Sequence, residues 1–381
     1  MKRILSILCS ALIITSMLVC LGGCGSKKDN GGKNGPDLSD ATESVKFAAK
    51  LKMGWNLGNT LDATDSNDME SETSWGQPKA TKELIQYVKK AGFTSIRIPV
   101  SWGNHTDKEY NIDKEWMARV KEVVDYAIDS KLYVIINSHH DCDYYYPTEE
   151  KYEKSEKYIK TVWTQIAETF KDYDEKLIFE SMNEPRLKDT SKEWWFDQGD
   201  LEGMISIKCI NKLNQAFVDT VRDSGGNNAK RYLMVPSNAA SVENTLSGYF
   251  ELPTDPANRL MVSVHAYKPY DFTMNYAGGY SKWDSEKAKE LSFLDDLSEK
   301  FIKTGHGVVI GEFGATNKDN LDARVAWAKD FVGKAAKLGI PCFVWDNGGT
   351  ESGDENFGII NRKDLSFYFP ELSDQMLACY K

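Results

Sequence analysis

Short apolar runs alternate with helix-period segments along most of the chain. The runs are LKMGWNLGN, TSIRIPVSW, LYVIINSHHD, KLIFESMNEP, RYLMVPSN, RLMVSVHAY, GVVIGEF and PCFVWDN. Between them, TKELIQYVKKAG, KEWMARVKEVVDYAIDS, EKYIKTVWTQIAETF, MISIKCINKLNQAFVDTVRDSGG, SFLDDLSEKFIKTG and LDARVAWAKDFVGKAAKLG repeat apolar residues with a helical period. Only the connection between the fifth and sixth runs is weakly patterned. Near-continuous apolar runs fit parallel strands covered on both faces. Strand–helix alternation repeated eight times predicts an α/β fold, a (β/α)8 TIM barrel. An open doubly wound sheet is the rival. No Gly-rich phosphate turn follows the first run, which favours the barrel.

The N-terminus reads differently. Lys2 and Arg3 precede an apolar stretch from Ile4 to Leu21, the layout of a secretory signal. It ends in Leu21-Gly22-Gly23-Cys24, which resembles a bacterial lipobox, with Cys24 as the lipidated residue. A plain signal peptide or anchor helix with an incidental Cys is the blander reading. The expected organisation is therefore a lipoprotein signal peptide over 1–23, a lipidated Cys24 with a flexible tether over 24–40, and one barrel over 41–381. Such a protein would stand at the outer face of the cell membrane, held by acyl chains alone, or be secreted, and is expected to be a monomer. A net charge of −10 argues against nucleic acid as partner. Cys142, Cys209, Cys342 and Cys379 are scattered without metal-ligand spacing, and no disulfide is predicted.

Polar residues collect where the predicted strands end. Arg97 lies in the second run, His139 and His140 end the third, and Asn183 and Glu184 end the fourth, where Pro185 stops the ladder. His265 and Tyr267 end the sixth run, Glu312 the seventh, and Trp345 stands in the eighth. In a barrel these ends converge on one face, where the chemistry of the fold sits. Two glutamates without a nucleophilic Ser or Cys motif point to carboxylate chemistry, and glycoside hydrolysis needs such a pair. Either Glu alone reads equally well as a salt-bridged strand end. Adjacent histidines on a strand would face opposite sides, so His139 and His140 are not expected to share a metal, and no cofactor is expected.

MGWNLGNTLDA, RIPVSW, INSHHD, MNEPR, HAYKPYDF, GEFGA and VWDNG together resemble glycoside hydrolase family 5, in particular its bacterial endoglucanases of subfamily 4. The resemblance runs from about Phe47 onward in matching order. It implies retaining hydrolysis of β-1,4-glucans by double displacement, with Glu184 as acid/base and Glu312 as nucleophile. By the same resemblance Arg97 and Tyr267 steady Glu312, Asn183 holds the sugar 2-hydroxyl, and His139, His140 and His265 line the cleft. Trp345 takes the place of the platform under a glucose ring. Asn59 resembles a glycan contact of the family, though a turn-stabilising role fits nearly as well. Trp55 is core or cleft, and Trp194 and Trp195 either extend the groove or cap a loop. The acid needs a raised pKa, and the like charge of Glu312 is one expected cause. Relatives on this scaffold that cut xyloglucan, mixed-linkage glucan, xylan or mannan remain open as alternatives. So does a surface glycan-binding lipoprotein that does not cut.

Overall fold

The computed structural model describes residues 35–197 and 199–381. The expected signal segment and Cys24 lie outside the described residues. Eight parallel strands close into a barrel in chain order: β1 (Met53–Asn56), β2 (Ser95–Ile98), β3 (Tyr133–Asn137), β4 (Leu177–Glu180), β5 (Leu233–Ser241), β6 (Leu260–His265), β7 (Gly307–Phe313) and β8 (Cys342–Val344). Closure comes from β1 against β8, with Gly54 paired to Phe343 and Trp55 to Val344. Each predicted apolar run contains its strand except the fifth, where β5 runs on past Asn238 to Ser241.

The helices form where the 3.6-residue pattern placed them. In Lys82–Ala91 the Thr81 side chain accepts from Leu84 N at 3.1 Å, and Gly92 closes the helix at φ 114°, a value that Gly adopts without strain. Lys114–Asp129, Tyr152–Thr169, Leu201–Asp223 and Leu321–Lys337 cover the barrel likewise. The weakly patterned connection after β5 holds only the short helix Val242–Leu246. The segment before β7, expected as one helix, runs without a gap but changes its winding, α over Phe293–Leu297 and wider over Ser298–Ile302.

Inside the barrel, side chains fill layers. Ile135, Ile178, Met234, Met261, Val309 and Phe343 pack together from six strands, with Phe47 stacked on Tyr232 as a plug. Gly54 has no side chain because a Cβ there would stand 2.2 Å from the Phe343 ring. Two residues further along β3, β4 and β6, on the same faces, come Asn137, Glu180 and Ser263. Apolar filling thus gives way to a polar layer. Pro36 and Leu38, expected within the tether, lie close to Gly339 just before β8. Cys142, Cys209, Cys342 and Cys379 are all free thiols.

Candidate active site

Arg97 is the hub of the polar layer. It is fully buried in β2, and its guanidinium reaches four oxygen acceptors and the His265 ring. Nε donates to Glu180 Oε2 at 2.7 Å, while Nη1 donates to Glu312 Oε1 at 2.6 Å and to Asn56 Oδ1 at 3.0 Å. Nη2 donates to Asn183 Oδ1 at 2.7 Å and approaches His265 Nε2 at 3.5 Å. Asn56 is itself fixed, since its amide donates to Gly311 O and Phe343 O.

Glu312 also accepts from Tyr267 Oη at 3.0 Å through its second oxygen. It reaches this position through an irregularity in pairing. Val264 faces Ile310, but the next pair is His265 with Glu312, one residue further along β7. Gly311 takes the skipped place, and a Cβ there would approach His265 and Ser263 at 3.3 Å.

Glu184 stands elsewhere than the sequence indicates. The strand ends at Glu180, four residues before it, rather than at Pro185. Pro185 therefore breaks no ladder. Asn183 N donates to Ser138 O at 2.8 Å and Ala239 N to Pro185 O at 2.8 Å, and these bonds hold the segment over the mouth. Glu184 Oε1 lies 2.6 Å from His265 Nδ1, and Arg186 Nη1 is 3.8 Å from its other oxygen. β5 and β6 separate the two glutamate-bearing strands, and His265 of β6 bridges the gap, its Nδ1 3.7 Å from Glu312 Oε2. An oxygen of Glu184, an oxygen of Glu312 and a nitrogen of His265 all lie within 4.8 Å of one another. That closeness belongs with a retaining pair, about 5–5.5 Å apart, and not with the roughly 6.5–9.5 Å of an inverting one.

The protonation pattern departs from expectation. Burial alone would raise Glu184, but the hydrogen bond and charge of His265, with Arg186 and His140, hold it below the ordinary value. Burial lowers His265, yet Glu312 and Glu184 outweigh it and raise this imidazole. Glu312 is raised by burial and by the like charge of Glu184, against the pull of His265 and Arg97. In the open cleft the proton near Glu184 therefore sits on the Glu184–His265 pair and is not fixed on the carboxyl. Tyr267, pushed well up by burial and Glu312, keeps its hydroxyl proton to donate.

His139 and His140 lie past the end of β3, so the strand argument that sent them to opposite faces does not apply. Their rings meet edge to face with centroids 4.4 Å apart. With Asp62 they bring nitrogen and oxygen atoms within 4.8 Å of one another. Asp62 and His139 already have partners. Asp62 accepts from Thr60 N at 2.7 Å and Asn59 N at 3.0 Å, and burial pushes its carboxyl up to about 6. Asn137 Oδ1 accepts from Val100 N, so its amide nitrogen donates to His139 Nδ1 at 3.0 Å and leaves the ring proton on Nε2. The His139 ring lies parallel to Trp345, 5.6 Å away. His140 is partly exposed, edge-on to Trp75, with Nε2 3.8 Å from Asp62.

Trp345 follows β8 directly, and Gly58 lies so close that a Cβ would be 2.8 Å from the indole. Asn59 sits at φ 54° and gives its backbone N–H to Asp62, which is a turn's role. Trp55 is core: it is fully buried and donates to Asp346 Oδ2 at 2.8 Å. Trp194 and Trp195 are more than half exposed, with the Arg186 guanidinium 4.0 Å over the Trp194 ring.

Glu180, Asn56, Asn137, Asp62 and Ser263 join the site without having been expected there. For Glu180 the signal was present, a charged residue closing the otherwise apolar LIFE. A close pair of glutamates at the C-terminal mouth of a (β/α)8 barrel, among imidazole, phenol and indole rings, defines a carboxylate-dependent hydrolase suited to sugars. Residues 60–351 match the family described as cellulase, glycosyl hydrolase family 5, and the chain belongs to that family. Endoglucanase B of Ruminococcus albus is 45% identical over 341 residues, covering 89% of this chain and 81% of that protein. A family 5 lichenase mutant from Caldicellulosiruptor sp. F32, in complex with cellotetraose, is 46% identical with a TM-score of 0.86, over 89% of this chain and 95% of the other. A subfamily 4 broad-specificity endoglucanase from Ruminococcus champanellensis with bound cellotriose is 42% identical with a TM-score of 0.83, over 89% and 99%.

Proposed function

We propose that the protein is a retaining endo-β-1,4-glucanase that hydrolyses internal bonds of cellulose-like chains by double displacement. The observation that carries this is the close Glu184–Glu312 pair with opposite partners, a shared proton on one side and two donors on the other. Glu312 attacks the anomeric carbon while Glu184 passes its proton to the leaving oxygen. The resulting glycosyl-enzyme is cleaved by water, which gives a proton back to Glu184. Arg97 and Tyr267 hold Glu312 ionised and aimed, Asn183 is set to meet the 2-hydroxyl, and Trp345 with His139 forms the floor and wall of the subsite. His140 and Asn59 line the cleft further out.

The purified protein should release reducing ends from carboxymethylcellulose, and Glu312→Gln should not. A folded wild type that releases none would remove cellulose-like chains as the substrate, and only if xyloglucan and mannan also stayed intact would the non-cutting glycan binder return. The similarity to a lichenase and to a broad-specificity endoglucanase favours testing mixed-linkage glucan, xyloglucan and mannan in the same assay. Anchoring through an acylated Cys24 at the outer face of the membrane rests on the sequence of the leader. Detergent-phase partitioning that persists in Cys24→Ala would overturn it.

A further inference from the structure

Glu180 has no part in the chemistry described so far, yet it is the other carboxylate on Arg97. Its side chain is fully buried, so substrate cannot touch it. Oε2 accepts a hydrogen bond from Arg97 Nε at 2.7 Å, and Oε1 accepts from the Ser263 hydroxyl across the barrel. Neutralising a buried guanidinium does not require it, because Glu312 already stands 2.6 Å from Nη1. A second buried carboxylate costs desolvation and leaves the cluster with an excess of negative charge. Groups placed at that cost concentrate at functional sites.

We infer that Glu180 is a positioning residue for the reaction, fixing the plane of Arg97 through Nε and drawing off part of its charge so that Glu312 stays a strong nucleophile. The inference rests on Glu312 being the nucleophile. Four of the five N–H groups of Arg97 have oxygen acceptors, so the guanidinium has one orientation, and its charge divides between two carboxylates. A fully neutralised Glu312 would attack slowly and leave readily. Glu180 biases this balance toward attack.

Glu180→Gln keeps the shape and an acceptor for Nε, and the Ser263 hydroxyl can turn to accept from the new amide. Arg97 then acts on Glu312 with its whole charge. Besides Arg97, Glu312 faces Tyr267, His265 and Glu184, none of which is altered. The acid limb of kcat/KM should move down by about one pH unit. With dinitrophenyl cellobioside the pre-steady-state burst, which reports attack, should slow roughly tenfold while the deglycosylation rate does not fall. Ser263→Ala removes the hydroxyl that shares the Glu180 charge, so Arg97 is drawn harder to Glu180 and the acid limb should move up.

Opposite movements in the two variants are the expected result, since a purely structural role would lower activity without them. An acid limb unmoved in both, or burst and steady-state rates falling together, would overturn the inference. If Glu180→Gln fails to fold, Ser263→Ala decides alone: an upward shift supports the inference, and no shift or a downward one overturns it. A wild type that cuts no glucan would instead remove the enzyme reading on which the inference stands.

Discussion

His265 Nδ1 stands 2.6 Å from Glu184 Oε1, close enough for the two groups to hold one proton between them. In the proposed mechanism the acid is thus a pair. The imidazole keeps the proton available in the open cleft, and exclusion of water by a bound glycan favours its return to the less charged state, with neutral acid and neutral imidazole.

This sharing sets the pH profile of kcat/KM, which reports the free enzyme. Glu312 must be ionised, and it is raised above its ordinary value near 4.5, so activity should fall on the acid side at a pH above that value. The pair must hold its proton, and His265 is raised above 6.5, so the alkaline limb should begin above that value. A bell-shaped profile on carboxymethylcellulose checks both limbs. An acid limb below 4 would contradict the burial of Glu312.

Glu184→Gln should lower glucan hydrolysis by about 10²–10⁴-fold, the usual range for a lost general acid. The loss should shrink greatly for the attack step on dinitrophenyl cellobioside, whose leaving group needs no proton. An equal loss on both substrates would deny Glu184 its place as acid.

Tyr267→Phe deletes the 3.0 Å bond to Glu312 Oε2. Hydrogen bonds to charged groups contribute about 1.5–3 kcal/mol, so kcat should fall roughly tenfold to a hundredfold. The lost donor should also raise Glu312 further and carry the acid limb upward. Wild-type kcat in this variant would show that Tyr267 does not steady the nucleophile.

Gly54→Ala tests the packing beneath the site. The new methyl would stand 2.2 Å from the Phe343 ring inside the barrel. Overpacking of this kind costs about 1–3 kcal/mol, readable as a lower denaturation midpoint in guanidinium chloride. An unchanged midpoint would mean that Phe343 has room to move aside.

The barrel was legible because its signal is local. Apolar runs bounded by polar ends, separated by amphipathic helices, can bury their faces in few ways, and eight repeats leave mainly one. The free state of the cysteines was harder to read, since pairing depends on distance, which spacing along the chain does not give. The change of winding at Ser298–Ile302 was not legible because SFLDDLSEKFIKTG keeps its apolar period through both pieces.

At the site, the sequence by itself determined which residues gather. Arg97, Glu184, His265, Tyr267, Glu312 and Trp345 all follow or end barrel strands, and the closed parallel topology brings those ends to one mouth. Tertiary structure alone decided their relations. The shift that sets Glu312 rather than Gly311 opposite His265, the three residues between β4 and Glu184, and the burial of Glu180 against Arg97 arise from contacts between strands distant in the chain. Charges and protons follow distance and burial, which no single segment specifies. Identity of the groups is therefore written along the chain, while their pKa values and their division of labour are properties of the closed barrel.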